Sequence, residues 1–287
     1  MDVPTTMSPA VFAAVLAAAA LHAGWNAFLK VKLEPFLAMT LITGAGGVAG
    51  IPLLIAFGFP RLEAWPWLIG SVVIHLGYYF TLTEAYRRAD MGQIYPIARG
   101  GAPLLTAAAS IFVLREPIGL MAGLGIAVLG SGIMLIAFLG RRAQSKFDPV
   151  AIGFALLTAG IVCAYTLVDG IGARIAGDPH AYSAALFVID GIPLVVVAIW
   201  LRGFSGLAPM REFLGRGFLG GAMSLAAYWI AIWAMTVAPI AIVAALRETS
   251  VLWATLIAVV FLKEPFVGAR AVAAVLIVLG VVLIRLQ

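Results

Sequence analysis

The sequence predicts an all-α polytopic membrane protein, ten transmembrane helices arranged as two inverted five-helix repeats, and three observations carry that expectation. Of the 287 residues 63% are hydrophobic and 11% charged, and the mean hydropathy is +1.10, values outside the range of water-soluble domains. Apolar runs of about 20 residues, the length a helix needs to cross a hydrocarbon core, recur along the chain. Finally, Leu114-Arg115-Glu116-Pro117 is written again as Leu262-Lys263-Glu264-Pro265, and the same offset of 148 residues carries Arg99 onto Arg247, Gly132 onto Gly280 and Leu135-Ile136 onto Leu283-Ile284.

Charge, Pro and Gly bound the apolar runs at 8–29, 36–58, 64–86, 92–114, 117–139, 149–171, 180–201, 213–236, 239–262 and 265–285. Met1 to Pro9 lacks the basic stretch and small-residue cleavage site of a removable leader, so the first run is expected to be a membrane helix. The most polar connection, 141–148, separates a first unit at 1–140 from a second at 149–287. With five spans per unit, the second unit enters the membrane from the opposite side. Such an inverted repeat has a pseudo-two-fold axis in the membrane plane and lets a central site open alternately to either face, an arrangement found most often in transporters. The repeat is clearest in the last three helices of each unit; the first two do not align by sequence.

The first span carries His22, Trp25, Asn26 and Lys30 on one helix face. The stripe reads either as cavity lining or as interfacial chemistry, with Lys30 snorkelling, Trp25 anchoring and His22 bonding a carbonyl. Gly44, Gly46, Gly47 and Gly50 in the second span, and Gly119, Gly123 and Gly130 in the fifth, predict close packing of these two helices. The third span aligns His75, Tyr78, Tyr79, Leu82 and Tyr86; the sixth offers Tyr165, and the eighth Tyr228, Trp229, Ile232 and Trp233. Hydroxyl and indole groups on such stripes need partners. The stripes are therefore either plain packing or the wall of a small-molecule pocket.

The fourth span places Tyr95, Arg99, Pro103, Thr106 and Ser110 on one face, with Arg99 at a depth where a charge costs roughly 2.5–3.5 kcal/mol. Its repeat mate Arg247 lies in the ninth span, followed by Glu248. Two symmetry-related arginines suit a bidentate clamp on a carboxylate or phosphate. The competing arrangement is neutralisation in ion pairs, Arg247 with Glu248 or Arg99 with Glu84. The Leu-basic-Glu-Pro corners read as turns, Pro opening a helix and Glu beside its positive end. Asp190-Gly191-Ile192-Pro193, mid-way along the seventh span, predicts a helix break. Glu248, His22, His75, Asp169 and Asp190 are the candidates for binding a coupling proton.

Other chemistries find little support. Cys163 is the lone cysteine, His22, His75 and His180 are scattered, and no Gly-x-Ser-x-Gly or His-Glu-x-x-His occurs, so neither a cofactor, a metal site nor an intramembrane enzyme is indicated. The net charge of +5 resides in short loops and suits lipid headgroups, not nucleic acid. A non-transporting receptor or scaffold subunit would be expected to carry a soluble domain or long tail.

Ten spans, the inverted repeat, the two corners, His22-Ala23-Gly24-Trp25-Asn26 and Tyr95-Pro96-Ile97-Ala98-Arg99-Gly100 resemble EamA-type members of the drug/metabolite transporter superfamily over nearly the whole chain. The resemblance implies a central cavity lined by the first, third, fourth, sixth, eighth and ninth helices, with the fifth and tenth behind it. It implies a secondary transporter in the bacterial inner membrane that exports or exchanges small polar metabolites, such as amino acids or organic anions, among membrane lipids. The first-helix Glu that small multidrug relatives use for proton coupling has no counterpart here. The resemblance also places both termini in the cytoplasm. The positive-inside rule places them outside, because Lys30, Lys32, Arg87, Arg88, Arg141, Arg142, Lys146, Arg202, Arg211, Arg216 and Lys263 fall in the opposite loops, against Arg61, Arg115, Arg174 and Arg285.

Overall fold

Three long helices begin in the same way, with an acidic residue before a proline. Glu34-Pro35, Asp148-Pro149 and Asp178-Pro179 use the missing proline N–H where no intrahelical bond is lost. Asp148 and Asp178 also accept backbone N–H groups, from Val150 at 2.9 Å and His180 at 2.8 Å. The computed structural model describes residues 7–28, 33–88, 91–139, 148–260 and 268–286. Its helices are α1 (Pro9–Phe28), α2 (Pro35–Phe57), α3 (Trp65–Arg88), α4 (Met91–Phe112), α5 (Leu120–Leu139), α6 (Pro149–Ile175), α7 (Pro179–Arg202), α8 (Leu214–Val237), α9 (Ile240–Arg247), α10 (Ser250–Val260) and α11 (Gly268–Arg285). Each expected span contains a helix, and together they form a polytopic membrane protein. The second corner, Leu262–Pro265, lies outside the described residues.

Among the described residues, six helical stretches are long and apolar enough to cross a bilayer by themselves; α3 and α4 are not among them. These two carry His75, Tyr78, Tyr79 and Arg99, so the polarity that lowers their hydropathy is polarity turned toward the interior.

Two expectations about helix continuity are corrected. The ninth span is two helices, because Arg247, Glu248, Thr249 and Ser250 are consecutive buried polar residues that interrupt the α-ladder. Thr249 donates its hydroxyl to the Leu246 carbonyl at 2.7 Å, and Glu248 and Thr249 bond three residues back instead of four. The seventh span, in contrast, does not break at Asp190–Pro193; α7 runs through Pro193. Gly191 serves packing there: a Cβ on it would meet the Thr43 carbonyl oxygen at 3.0 Å and Gly47 Cα at 3.1 Å, both on α2.

The glycine-bearing helices do pack closely, but α2 against α7 and α8, and α5 against α11. The α5–α11 contact is reciprocal: Gly132 approaches the Ala273 carbonyl while Gly280 approaches the Gly125 carbonyl. The 148-residue offset exchanges these two contacts, as a two-fold axis requires. Gly125, not Gly123, makes this approach, since Gly123 faces open space. An analogous exchange relates α2 and α7, where Gly47 faces Gly191, Gly47 meets the Phe187 carbonyl and Gly191 meets the Thr43 carbonyl. An offset of 144 residues relates those pairs and also Pro35 to Pro179, which gives the register that sequence alone did not.

These contacts yield a stability prediction. A Cβ at Gly280 would lie 2.6 Å from the Gly125 carbonyl oxygen, and neither backbone can yield independently. Gly280→Ala should cost about 1–3 kcal/mol and lower the melting temperature of purified protein. Gly153→Ala is the control, since nothing lies within 4 Å of its Cβ position; an equal loss in both variants would refute the packing assignment. An even number of spans puts both termini on one face. The loop bias predicts that this face is outside, so a C-terminal alkaline phosphatase fusion should be active and a fluorescent-protein fusion dark.

Candidate functional site

Polar groups deep in a bilayer must be satisfied by one another or by a wet cavity. Here they gather between the two halves. His22 and Trp25 (α1), Thr43 (α2), His75, Tyr78 and Tyr79 (α3), Arg99 (α4), Tyr165 (α6), Phe187 and Asp190 (α7), Ser224 and Tyr228 (α8) and Arg247 (α9) line one cavity. Its walls include α2 and α7 beyond the helices the resemblance implied. Among the described residues, none of α5 or α11 joins the lining, as the resemblance implied.

The two repeat-related arginines differ in what they meet. Arg99, 4% exposed, is held by Glu248 at 2.8 Å, an ion pair that crosses from one half to the other. This overturns both expected pairings: Glu84 meets Arg87 at 2.7 Å and Arg88 at 3.6 Å on α3, and Arg247 does not pair with Glu248. The Arg247 guanidinium instead lies over the Tyr228 ring, 4.7 Å from its centroid, a cation–π contact inside the cavity.

Aromatic rings build the walls. His75 stacks on Tyr165 with centroids 4.3 Å apart, and Tyr165 stands edge-to-face to Tyr78 and Tyr228 at 6.1 Å each. His75 is oriented by its own helix, with Nδ1 2.9 Å from the Ser71 carbonyl oxygen. One turn further along α3, Tyr79 donates its hydroxyl to Asp190 Oδ2 at 3.1 Å, and Asp190 Oδ1 is buried with no hydrogen-bond partner among the described residues. The site thus combines a guanidinium, a carboxylate with a vacant acceptor and a wall of rings.

Some sequence candidates lie elsewhere. Asn26 donates to the His22 carbonyl at 2.8 Å, an intrahelical bond, and is not among the lining residues. Trp229 points away from the cavity; its indole N–H donates to His180 Nδ1 at 2.7 Å and packs on Phe57. Glu248 sits behind Arg99. The Tyr95 side chain lies outside the described residues, as do Lys30 and the Tyr86 side chain. Thr43, Phe187 and Ser224 line the cavity without having been singled out, because nothing in an apolar run marks which single hydroxyl or ring faces inward.

Toward the face that holds the termini, a second ion pair ties the two halves together. Glu116, from the corner after α4, meets Arg174 of α6 at 2.6 Å, and its other oxygen accepts the Ile240 N–H at the start of α9 at 3.0 Å. Arg174 further donates to the carbonyls of Met235 at 2.8 Å and Ala238 at 3.2 Å. The corner is therefore more than a turn: Arg115, in the left-handed region at φ 55°, reverses the chain so that Glu116 turns inward.

The family model of EamA-like transporters matches residues 9–138 and again 149–286. Among solved structures 29 chains match. One, described only as the crystal structure of a protein, is 23% identical over 96% of this chain and 95% of its own, with a TM-score of 0.76, a likeness of fold. No curated protein matches.

Proposed function

The chain belongs to the EamA-like transporter family, and from that premise we propose that it is a secondary transporter of small polar metabolites, amino acids or organic anions, working by alternating access in a bacterial inner membrane. Each half is read as one five-helix unit, 1–140 and 149–287, joined by the polar stretch 141–148. His22, Trp25, His75, Tyr78, Tyr79, Tyr165, Tyr228 and Arg247 are read as substrate contacts, and the Arg99–Glu248 pair as the tie between halves behind them.

The observation that carries this reading is the position of Arg247. A guanidinium engaged by a ring rather than a carboxylate keeps donors for an incoming anion. With the vacant oxygen of Asp190 in the same cavity, a zwitterion finds both of its charges met, and the rings accept an apolar side chain. The Glu116–Arg174 tie on the face of the termini and the position of the lining near the end of α1 and the start of α2 favour a substrate entering from the face away from the termini. Export requires that face to be cytoplasmic, in agreement with the loop charges.

The test is purified protein in liposomes offered amino acids, organic acids, phosphorylated metabolites and cationic drugs, one class at a time, read by counterflow of labelled compound. Arg247→Gln should lower uptake of the accepted anion or zwitterion by roughly 10- to 100-fold, the worth of one charged hydrogen bond at about 1.5–3 kcal/mol. Unchanged uptake in Arg247→Gln would reject the substrate site.

A further inference from the structure

Asp169 of α6 is fully buried and forms no ion pair among the described residues. Tyr182 of α7 donates to its Oδ1 at 3.0 Å, and Tyr228 of α8 donates to its Oδ2. From α3, Ser71 and His75 face the same carboxylate. Helices α4 and α9, which also pack on α6, bring Arg99, Arg247 and Glu248, but Arg99 and Glu248 hold each other and Arg247 lies over the Tyr228 ring. Arg174, on the same helix as Asp169, is held by Glu116. Two phenols and a serine hydroxyl, with no ion-paired cation, are a costly way to keep a carboxylate ionised inside a membrane.

We propose that Asp169 is a proton-binding site linked to the substrate cavity through Tyr228. This rests on the transport reading. The proton adds to a carboxylate oxygen and leaves from the same atom, so no other reactant is needed. With Asp169 ionised, the Tyr228 hydroxyl is committed to it, and the cavity sees only the phenol oxygen as an acceptor. With Asp169 protonated, its new O–H must itself donate, and one of the hydroxyls that face it has to turn away. Tyr228 is the one with somewhere to turn, because it lines the cavity whereas Tyr182 and Ser71 are fully buried. Its ring also carries Arg247, so occupation of the cavity and protonation of Asp169 act on one side chain. By linkage each then alters the affinity for the other.

Infrared spectroscopy of the purified protein across mildly acidic to mildly alkaline pH tests the proton site without any substrate. A protonated-carboxyl band that titrates in the wild type and is missing from Asp169→Asn is expected. A band unchanged by the substitution, or no titrating band, overturns the proposal. Should Asp169→Asn fail to fold, Tyr182→Phe decides: it keeps the ring, lies outside the cavity and removes one donor to the ionised form, so the midpoint must move. An unmoved midpoint is equally fatal.

In liposomes with a trapped pH dye, labelled L-phenylalanine is the amino-acid probe. Proton movement coupled to it, in either direction, should vanish in Asp169→Asn while phenylalanine exchange persists; wild-type proton movement in the variant overturns the proposal. Wild-type silence toward the whole panel would sink the transport reading instead, leaving the infrared titration to judge the proton site.

Discussion

Replacing Arg99 alone by Met should destabilise the purified protein by about 3–5 kcal/mol, and adding Glu248→Leu should recover most of that loss. Both side chains are about 5% exposed, and Glu248 Oε2 has no hydrogen-bond partner among the described residues. A buried carboxylate that depends on one guanidinium becomes an uncompensated charge when the guanidinium goes. The paired apolar replacement removes both charges together. Thermal unfolding in detergent reads the effect, and near-additive losses in the double variant would show that the two residues do not depend on each other. The pair also joins α4 of one half to the break between α9 and α10 of the other, so the double variant is expected to fold yet transport poorly. For the same reason Arg99→Ala is a weak probe of substrate binding: it would abolish activity through folding alone.

The spans were legible because their signal is physical and local: about twenty apolar residues cannot be anything else in this composition. The inverted repeat was legible for α3–α5 against the last helices of the second half through Arg99/Arg247 and Gly132/Gly280, residues fixed by cavity and axis. The register of α2 against α7 was not, since Gly47 and Gly191 stand among many glycines and only their facing backbones single them out. Partnerships across the halves were the hardest part. Glu84 of the adjacent span stood as a possible partner for Arg99, because nothing in one sequence places Glu248 of the other half beside it. The Asp190–Pro193 stretch has the letters of a break, yet Gly191 lets α2 come close and the helix continues. The Leu-basic-Glu-Pro corner is written as a turn, and only its contact with Arg174 of the other half gives Glu116 a second task.

That second task predicts the other large effect. Glu116→Ala should open the face that holds the termini. One carboxylate there ties the α4–α5 corner to Arg174 and to the first N–H of α9, so two charge-assisted bonds hold the first half to the second on that face. Rocking one half against the other toward that face has to break them. At about 1.5–3 kcal/mol for each hydrogen bond to a charged group, losing both removes enough to invert a two-state population. The single native cysteine makes the measurement simple. In a Cys163→Ala background, Met235→Cys puts a fully buried thiol beside the tie, where Arg174 bonds the Met235 carbonyl. It should react slowly with an impermeant maleimide while Glu116 is present and at least roughly 10-fold faster in Glu116→Ala, about 1.4 kcal/mol of shifted equilibrium. Glu34→Ala breaks the exposed pair with Arg202 on the opposite face, worth about 0–1 kcal/mol, and should leave the rate unchanged. Equal rates with and without Glu116 would mean that the tie does not decide which face is closed, and that the closure resides in the apolar packing of α8 and α9.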